Sequence, residues 1–147
     1  FRSLLERSLK TMGIRVKAQN ENAMKMANFL KEHPDVAEVY YPGLSSHPGH
    51  EIAKNQMKGF GGMLSFELKE GLNADLFQKK LRLVKSSMSL AGVESTILSP
   101  GKTSHALLSE EERQKQGIRE SLLRFSIGIE EFEDLSEDIE QALQAIK

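Results

Sequence analysis

The sequence contains no cysteine, which excludes disulfide bonds, thiolate metal sites and a cysteine nucleophile. The same lack fits a reducing, cytoplasmic setting. Neither sign of charge is in surplus: Lys and Arg total 20, Asp and Glu 21, for a formal net charge of -1. With no basic excess to neutralise a phosphate backbone, nucleic acid is not an expected partner. No apolar run comes near the roughly 20 residues that a helix needs to cross a bilayer. No signal-peptide pattern stands at the N-terminus, so no membrane association is expected. The chain also lacks an initiating methionine. It opens at Phe1-Arg2-Ser3-Leu4-Leu5, already inside an amphipathic pattern, and reads as a segment excised from a longer protein or processed at its start.

What is present is an ordinary globular balance. The 147 residues amount to about one domain. With 28% charged and 39% hydrophobic residues, the chain can bury a core without disulfide staples. Apolar residues at Leu5, Leu9, Met12, Val16, Ala23, Ala27 and Leu30 fall at helical spacings and predict one long amphipathic helix. Gly13 weakens it by about 1 kcal/mol relative to Ala and favours a bend. His33-Pro34 ends it, because the residue before proline is pushed out of helical geometry. A helix this long needs a surface to lie on, so residues 1–33 are expected to join two domains, with 34–147 forming one of them, a small domain. Without the other, an apolar stripe at Leu5, Leu9, Met12 and Val16 favours self-association into a homo-oligomer.

Val36 to Tyr41 predicts a strand closed by Pro42-Gly43. Ser45-Ser46-His47-Pro48 predicts a helix start with Pro48 in the first turn, the helix carrying Ile52, Ala53 and Met57. Met63 to Leu68 alternates as a strand and Leu72 to Leu81 repeats as a helix. Leu83 to Ser87 and Glu94 to Leu98 predict short strands around a loop from Ser89 to Gly92. Ser109 and Glu112 have the spacing of a capping box, so a short helix follows and ends near Gly117. In the last strand Leu123, Phe125, Ile127 and Ile129 share one face, Arg124 and Ser126 the other. A closing helix carries Leu135, Ile139, Leu143 and Ile146. This order predicts an α+β fold, a small, mostly antiparallel sheet with helices packed on one face. Such an architecture names no function.

The chemistry-bearing residues are few. Gly59-Phe60-Gly61-Gly62 has the look of a phosphate loop, but it precedes a strand and Leu64 stands where the dinucleotide fingerprint requires glycine. It reads as a helix-to-strand turn. His47 and His50 flank Pro48-Gly49 without a third ligand at suitable spacing, so no metal is expected. His33 and His105 are isolated, and no serine occupies a nucleophile elbow. Arg124 differs. It lies between Leu122, Leu123, Phe125 and Ile127, where an unpaired cation is costly. Either a structural carboxylate pairs with it, or a cavity holds it for the carboxylate of a ligand, a task suited to its planar fork.

Five segments carry a resemblance. They are Val39-Tyr40-Tyr41-Pro42-Gly43-Leu44, Ser46-His47-Pro48-Gly49-His50-Glu51, Gly59-Phe60-Gly61-Gly62-Met63, Ser89-Leu90-Ala91-Gly92-Val93-Glu94-Ser95, and Leu123 to Glu130 leading into Asp134-Leu135. Their order and spacing, from about Leu9 to Ile146, resemble the C-terminal domain of the cystathionine γ-synthase, β-lyase and γ-lyase family. The resemblance implies the small domain of a fold type I pyridoxal-phosphate (PLP) enzyme. It implies that Arg124 grips the α-carboxylate of a sulfur amino acid substrate, with Ser89 and the loop backbone through Leu90 beside it. Ser104 matches a position where the family often has threonine near the substrate. Met88 stands where γ-acting members typically carry Glu, which tilts the parent activity towards β-elimination. Ala91 replaces a common Gly, a change expected to matter little.

The family's PLP lysine, its phosphate-binding residues and the aspartate on the pyridine nitrogen belong to the large domain. The chain is thus expected to bind no PLP covalently, to carry no catalytic residue of its own and to be inactive alone. The intact parent would be a PLP-dependent carbon–sulfur lyase of cystathionine β-lyase type, with γ-synthase or γ-lyase activity as the alternative. A reading of another class also stands: a non-enzymatic α+β module in which Arg124 captures some other carboxylate, or whose first helix docks a partner.

Overall fold

The amphipathic segment at the start of the chain folds as two helices, not one. In the computed structural model, which describes residues 2–103 and 107–147, α1 spans Arg2–Leu9 and α2 spans Met12–Glu32. The break falls at Lys10 and Thr11 rather than at Gly13. Arg15 accounts for it: its backbone N–H donates to Thr11 O at 3.1 Å, its Nε to Thr11 Oγ1 at 3.2 Å, and its Nη2 to Ser8 O at 2.7 Å. The last of these satisfies a carbonyl that the end of α1 leaves without a helical partner. α1 buries no residue, and Leu5, Leu9, Met12 and Val16 are all exposed. The second half of α2 is the opposite, with Ala23, Met26, Ala27 and Leu30 fully buried.

After α2 come β1 (Val36–Tyr40), α3 (His50–Gln56), β2 (Met63–Leu68), α4 (Ala74–Lys80), β3 (Lys85–Ser86) and β4 (Thr96–Leu98). A single 3-10 turn at Pro100–Lys102 precedes α5 (Glu110–Lys115), β5 (Leu122–Ser126) and α6 (Phe132–Gln144). α3 starts later than Pro48 predicts. Residues 42–49 instead form successive turns, bonded Leu44 N–H to Tyr41 O, His47 N–H to Leu44 O and His50 N–H to His47 O, each at 3.0 Å. α4 is capped by Asn73, whose Oδ1 accepts from the N–H groups of Asp75 and Leu76 at 3.0 Å. The predicted capping box of α5 is reciprocal: Glu112 N–H donates to Ser109 Oγ, and Ser109 N–H to Glu112 Oε2.

The five strands run β1-β2-β5-β4-β3, antiparallel except for the β3–β4 edge. The fold is α+β, as the sequence predicts. One face of the sheet carries Leu64, Phe66, Leu68, Ile97, Leu123 and Phe125 into a single core with α2 and with Leu135, Ile139, Ala142 and Leu143 of α6. The alternate residues, Ser65, Glu67, Thr96, Leu98, Arg124 and Ser126, therefore share the other face. Ile129 departs from prediction: it lies past the end of β5 and is exposed. Among the described residues no helix is long and apolar enough to cross a membrane.

A polar pin joins α6 to the segment that leads into β3. Asp138 is buried, and its carboxylate accepts from the backbone N–H of Arg82 at 2.8 Å and of Leu83 and Val84 at 2.9 Å. Three donors that no strand or helix satisfies thus converge on one anion. Asp138→Ala strands them in the interior and should lower stability by about 3 kcal/mol. The urea midpoint reads this, and a loss under about 0.5 kcal/mol would show that water replaces the carboxylate at little cost.

Tyr41 is fully buried, donates its hydroxyl to Gly61 O at 2.8 Å, and has its pKa pushed by burial from 10.0 up to about 12. The unfolded chain releases this proton near 10.0 and the folded chain near 12, so rising pH favours unfolding across that window. The contribution of Tyr41 to stability should be intact below pH 10.0 and fall between there and about 12. Tyr41→Phe should flatten that part of a stability-versus-pH curve.

Candidate functional site

β5 is the middle strand of the sheet, and its alternation carries Arg124 to the face away from the helices. Ser65 of β2 and Leu98 of β4 flank it in register. Arg124 Nη2 donates to Met88 O at 3.1 Å, while its Nε is buried and has no partner. Among the described residues no carboxylate pairs with it. Glu67, on the same face of β2, is already engaged: it accepts from Tyr40 OH at 2.9 Å and from Arg119 Nη1 at 3.3 Å. Burial and the Glu67 carboxylate push the Tyr40 phenol up, consistent with its role as the donor. Glu67, the carboxylate on the neighbouring strand's same face, is thus taken by Tyr40 and Arg119 rather than by Arg124. A guanidinium offers five N–H donors; Arg124 gives one to Met88 O and leaves its Nε without a partner among the described residues.

The loop carrying Ser89 lies directly beside it. Met88 O is the atom that Arg124 holds, and Ser89, Leu90 and Ala91 follow, all exposed. Ser89 N–H donates to Ser87 Oγ at 3.2 Å, and Ser89 O accepts from Thr96 Oγ1 at 2.7 Å. Its hydroxyl has no partner among the described residues. Ala91 N–H donates to Ser126 Oγ at 2.9 Å. Further on, Glu130 accepts from Ser95 N–H at 2.6 Å and from Ser95 Oγ at 2.8 Å. Gly128 N–H donates to the same Ser95 Oγ at 2.8 Å. A side chain at Gly128 would collide with Val93 O and the Glu130 carboxylate, so glycine is required for the loop to close on β5.

The structure thus ties Arg124 to the loop of Ser89 and Leu90 through Met88 O. Ser104, the fourth expected substrate-binding residue, and His105 lie outside the described residues. His47 and His50 hold turns: His47 Nδ1 accepts from Gly49 N–H at 3.0 Å, and His50 Nδ1 donates to Pro42 O at 2.7 Å while its ring stacks on Phe60. Among the described residues no group of three or more His, Asp or Glu is arranged to hold a metal ion.

Sequence reasoning missed Asp138, Ser126, Glu130 and Gln19, the polar residues that fix this loop and its approach. Two of them were signalled. Asp138 stands three residues after Leu135 and four before Ala142, and Gln19 three after Val16 and four before Ala23. Each is a polar residue on a helix's apolar stripe.

Fold and face together define a class: an α+β lobe with an arginine that has no carboxylate partner among the described residues, beside a hydroxyl-bearing loop. The chain belongs to the family of Cys/Met metabolism PLP-dependent enzymes, whose family model matches residues 2–144. It is 49% identical over 143 residues to the cystathionine gamma-lyase of Bacillus subtilis (strain 168), covering 97% of this chain and 38% of that protein. It is 47% identical over 141 residues to the cystathionine beta-lyase of Lactococcus lactis subsp. cremoris (strain MG1363), covering 96% and 37%. The crystal structure of cystathionine gamma synthase from Xanthomonas oryzae pv. oryzae in complex with cystathionine matches with a TM-score of 0.88 at 45% identity, over 94% of this chain and 36% of that one. The chain spans little more than a third of these relatives.

A family that uses PLP needs a lysine able to form a Schiff base, activated by desolvation or a neighbouring cation. Every lysine in this chain is exposed on the surface. None therefore has the desolvated setting that covalent attachment of PLP requires.

Ala91 merits a correction. Its φ of 59° is the only positive value at a described non-glycine residue, so replacing glycine here is not neutral. Left-handed geometry costs an L-residue roughly 1–2 kcal/mol, against about 0.5–1 kcal/mol of extra chain entropy lost by glycine. Ala91→Gly should therefore stabilise the fold by about 0.5–1 kcal/mol, read as a higher urea midpoint. An unchanged or lower midpoint would mean the loop relaxes without strain.

Proposed function

We propose that this chain is the substrate-recognising small domain of a PLP-dependent carbon–sulfur lyase acting on a sulfur amino acid, with β-elimination as the parent reaction. The observation that carries it is Arg124: among the described residues its buried Nε has no partner and no carboxylate pairs with it, and an exposed serine loop lies next to it. A carboxylate arriving there can accept two parallel hydrogen bonds from the guanidinium and one from Ser89 Oγ or the loop backbone at Leu90. β-Elimination removes a proton and a thiol from adjacent carbons. Holding the carboxylate fixes the α-carbon, so that the proton to be lost keeps one direction.

Met88 supports β- over γ-chemistry. It is exposed beside Arg124 and offers no charge to a distal amino group. The near-equal identities to a gamma-lyase, a beta-lyase and a gamma synthase favour none of the three, so the choice rests on this residue. The chain on its own supplies no cofactor lysine and is inactive. The apolar stripe of α1 and α2 is where the rest of the parent, or a second copy, packs.

In the full-length parent, Arg124→Ala should lower kcat/KM about ten- to a hundred-fold, from the loss of charge-assisted bonds worth roughly 1.5–3 kcal/mol. Arg124→Lys should recover only part, since a point charge lacks the fork. The isolated chain, mixed with PLP and borohydride, should gain no cofactor absorbance fixed to a single lysine. An Arg124→Ala enzyme with unchanged kcat/KM would refute the carboxylate assignment, and a specifically labelled lysine would refute the inactive-fragment reading.

A further inference from the structure

The Gly59-Phe60-Gly61-Gly62 run precedes β2 as a turn, yet its glycines are not interchangeable. Gly61, at φ +88°, has open space around it and is glycine for backbone reasons. Gly59 and Gly62 are glycine because α2 presses against them. A Cβ on Gly59 would collide with the Asn20 amide, and one on Gly62 would stand 3.1 Å from Gln19 Cβ and 3.4 Å from Ile127 O.

That close approach delivers Gln19 to the loop. Gln19 is 7% exposed, and its Nε2 donates to Gly92 O at 2.7 Å. One turn later Asn22, also buried, donates its Nδ2 to Glu130 O at 2.7 Å. The loop needs such tethers. Met88, Ser89, Leu90, Ala91 and Val93 are all exposed, so no buried side chain anchors it and its position rests on backbone hydrogen bonds. Thr96 Oγ1 holds Ser89 O and Ser126 Oγ holds the Ala91 N–H, both from the sheet. Gln19 holds the next residue, and it does so from a different element, α2.

We propose that Gln19 is a positioning residue. Through Gly92 O it sets where Ser89 and Leu90 stand relative to Arg124, and Gly62 makes room for it. The inference rests on the reading of Arg124 and Ser89 as the carboxylate site. It also gives the glycine run a purpose: the run permits a helix to reach across to the substrate loop.

The test uses steady-state kinetics of the full-length enzyme with L-cystathionine. Gln19→Glu keeps the shape without the amide donor, and Gln19→Leu keeps the packing without either charge or donor. Each should raise KM about three- to tenfold, the effect of one lost hydrogen bond, with kcat changed less than about twofold. The Gln19→Leu and Ser89→Ala effects on kcat/KM should be non-additive, because both act on one loop. A Gln19→Leu enzyme with a lowered urea midpoint but unchanged KM would make Gln19 structural and overturn the proposal. So would full additivity with Ser89→Ala. Arg124→Ala in the same assay separates the two claims. If it is impaired while the Gln19 variants are not, only this inference fails; if it is unimpaired, the carboxylate reading fails and this one falls with it.

Discussion

The register of β5 governs everything that this domain presents. Leu123, Phe125 and Ile127 are fully buried against α2 and α6, and burying a side chain of that size contributes about 1.5–3 kcal/mol. A slip of one residue would expose all three and drive Arg124 into the core, where an unpaired charge costs several kcal/mol. The same cation that serves as the candidate binding group thus also enforces the pairing of β5 with β2 and β4. Strand order follows from this, because β5 lies between those two neighbours and its outward residues are bracketed on both sides.

The site is built on polar pins rather than on packing. Asp138 gathers three backbone N–H groups before β3, Glu130 clasps Ser95, Ser126 holds Ala91, and Gln19 holds Gly92. Each satisfies a backbone group that no regular element satisfies, which is what a loop of exposed side chains requires if it is to keep one conformation. An ordered but exposed loop suits a surface against which a ligand is placed: its backbone is fixed while its hydroxyl and amides remain available.

The family match rests on sequence, whereas the placement of Arg124 rests on the alternation of β5 between its two neighbours. Matched proteins include lyases and a synthase, all acting on cystathionine by name, and this chain spans little more than a third of each. Its lysines are all exposed, and so are Leu5, Leu9, Met12 and Val16 along α1 and the start of α2.

Much of this was legible in the sequence. Period-two alternation placed Arg124 opposite Leu123 and Phe125, Ser109 and Glu112 announced their capping box, and the five motif segments pointed to the family. These features are local, since their physical causes lie within a few residues of each other. Other features were not legible. Hydrophobic period carried the first helix straight through Lys10 and Thr11, because the bond from Arg15 to Ser8 that favours the break does not show as a change of period. The strain at Ala91 appears only once Ser126 and Thr96 are seen to hold the loop in left-handed geometry. That Arg124 has no carboxylate partner among the described residues required knowing that Glu67, two residues beyond its cross-strand neighbour, is taken by Tyr40 and Arg119. The sequence by itself determined which residues can bury, pair or cap; tertiary structure alone decided which donors are left over, because satisfaction of a hydrogen bond depends on groups tens of residues apart in the chain.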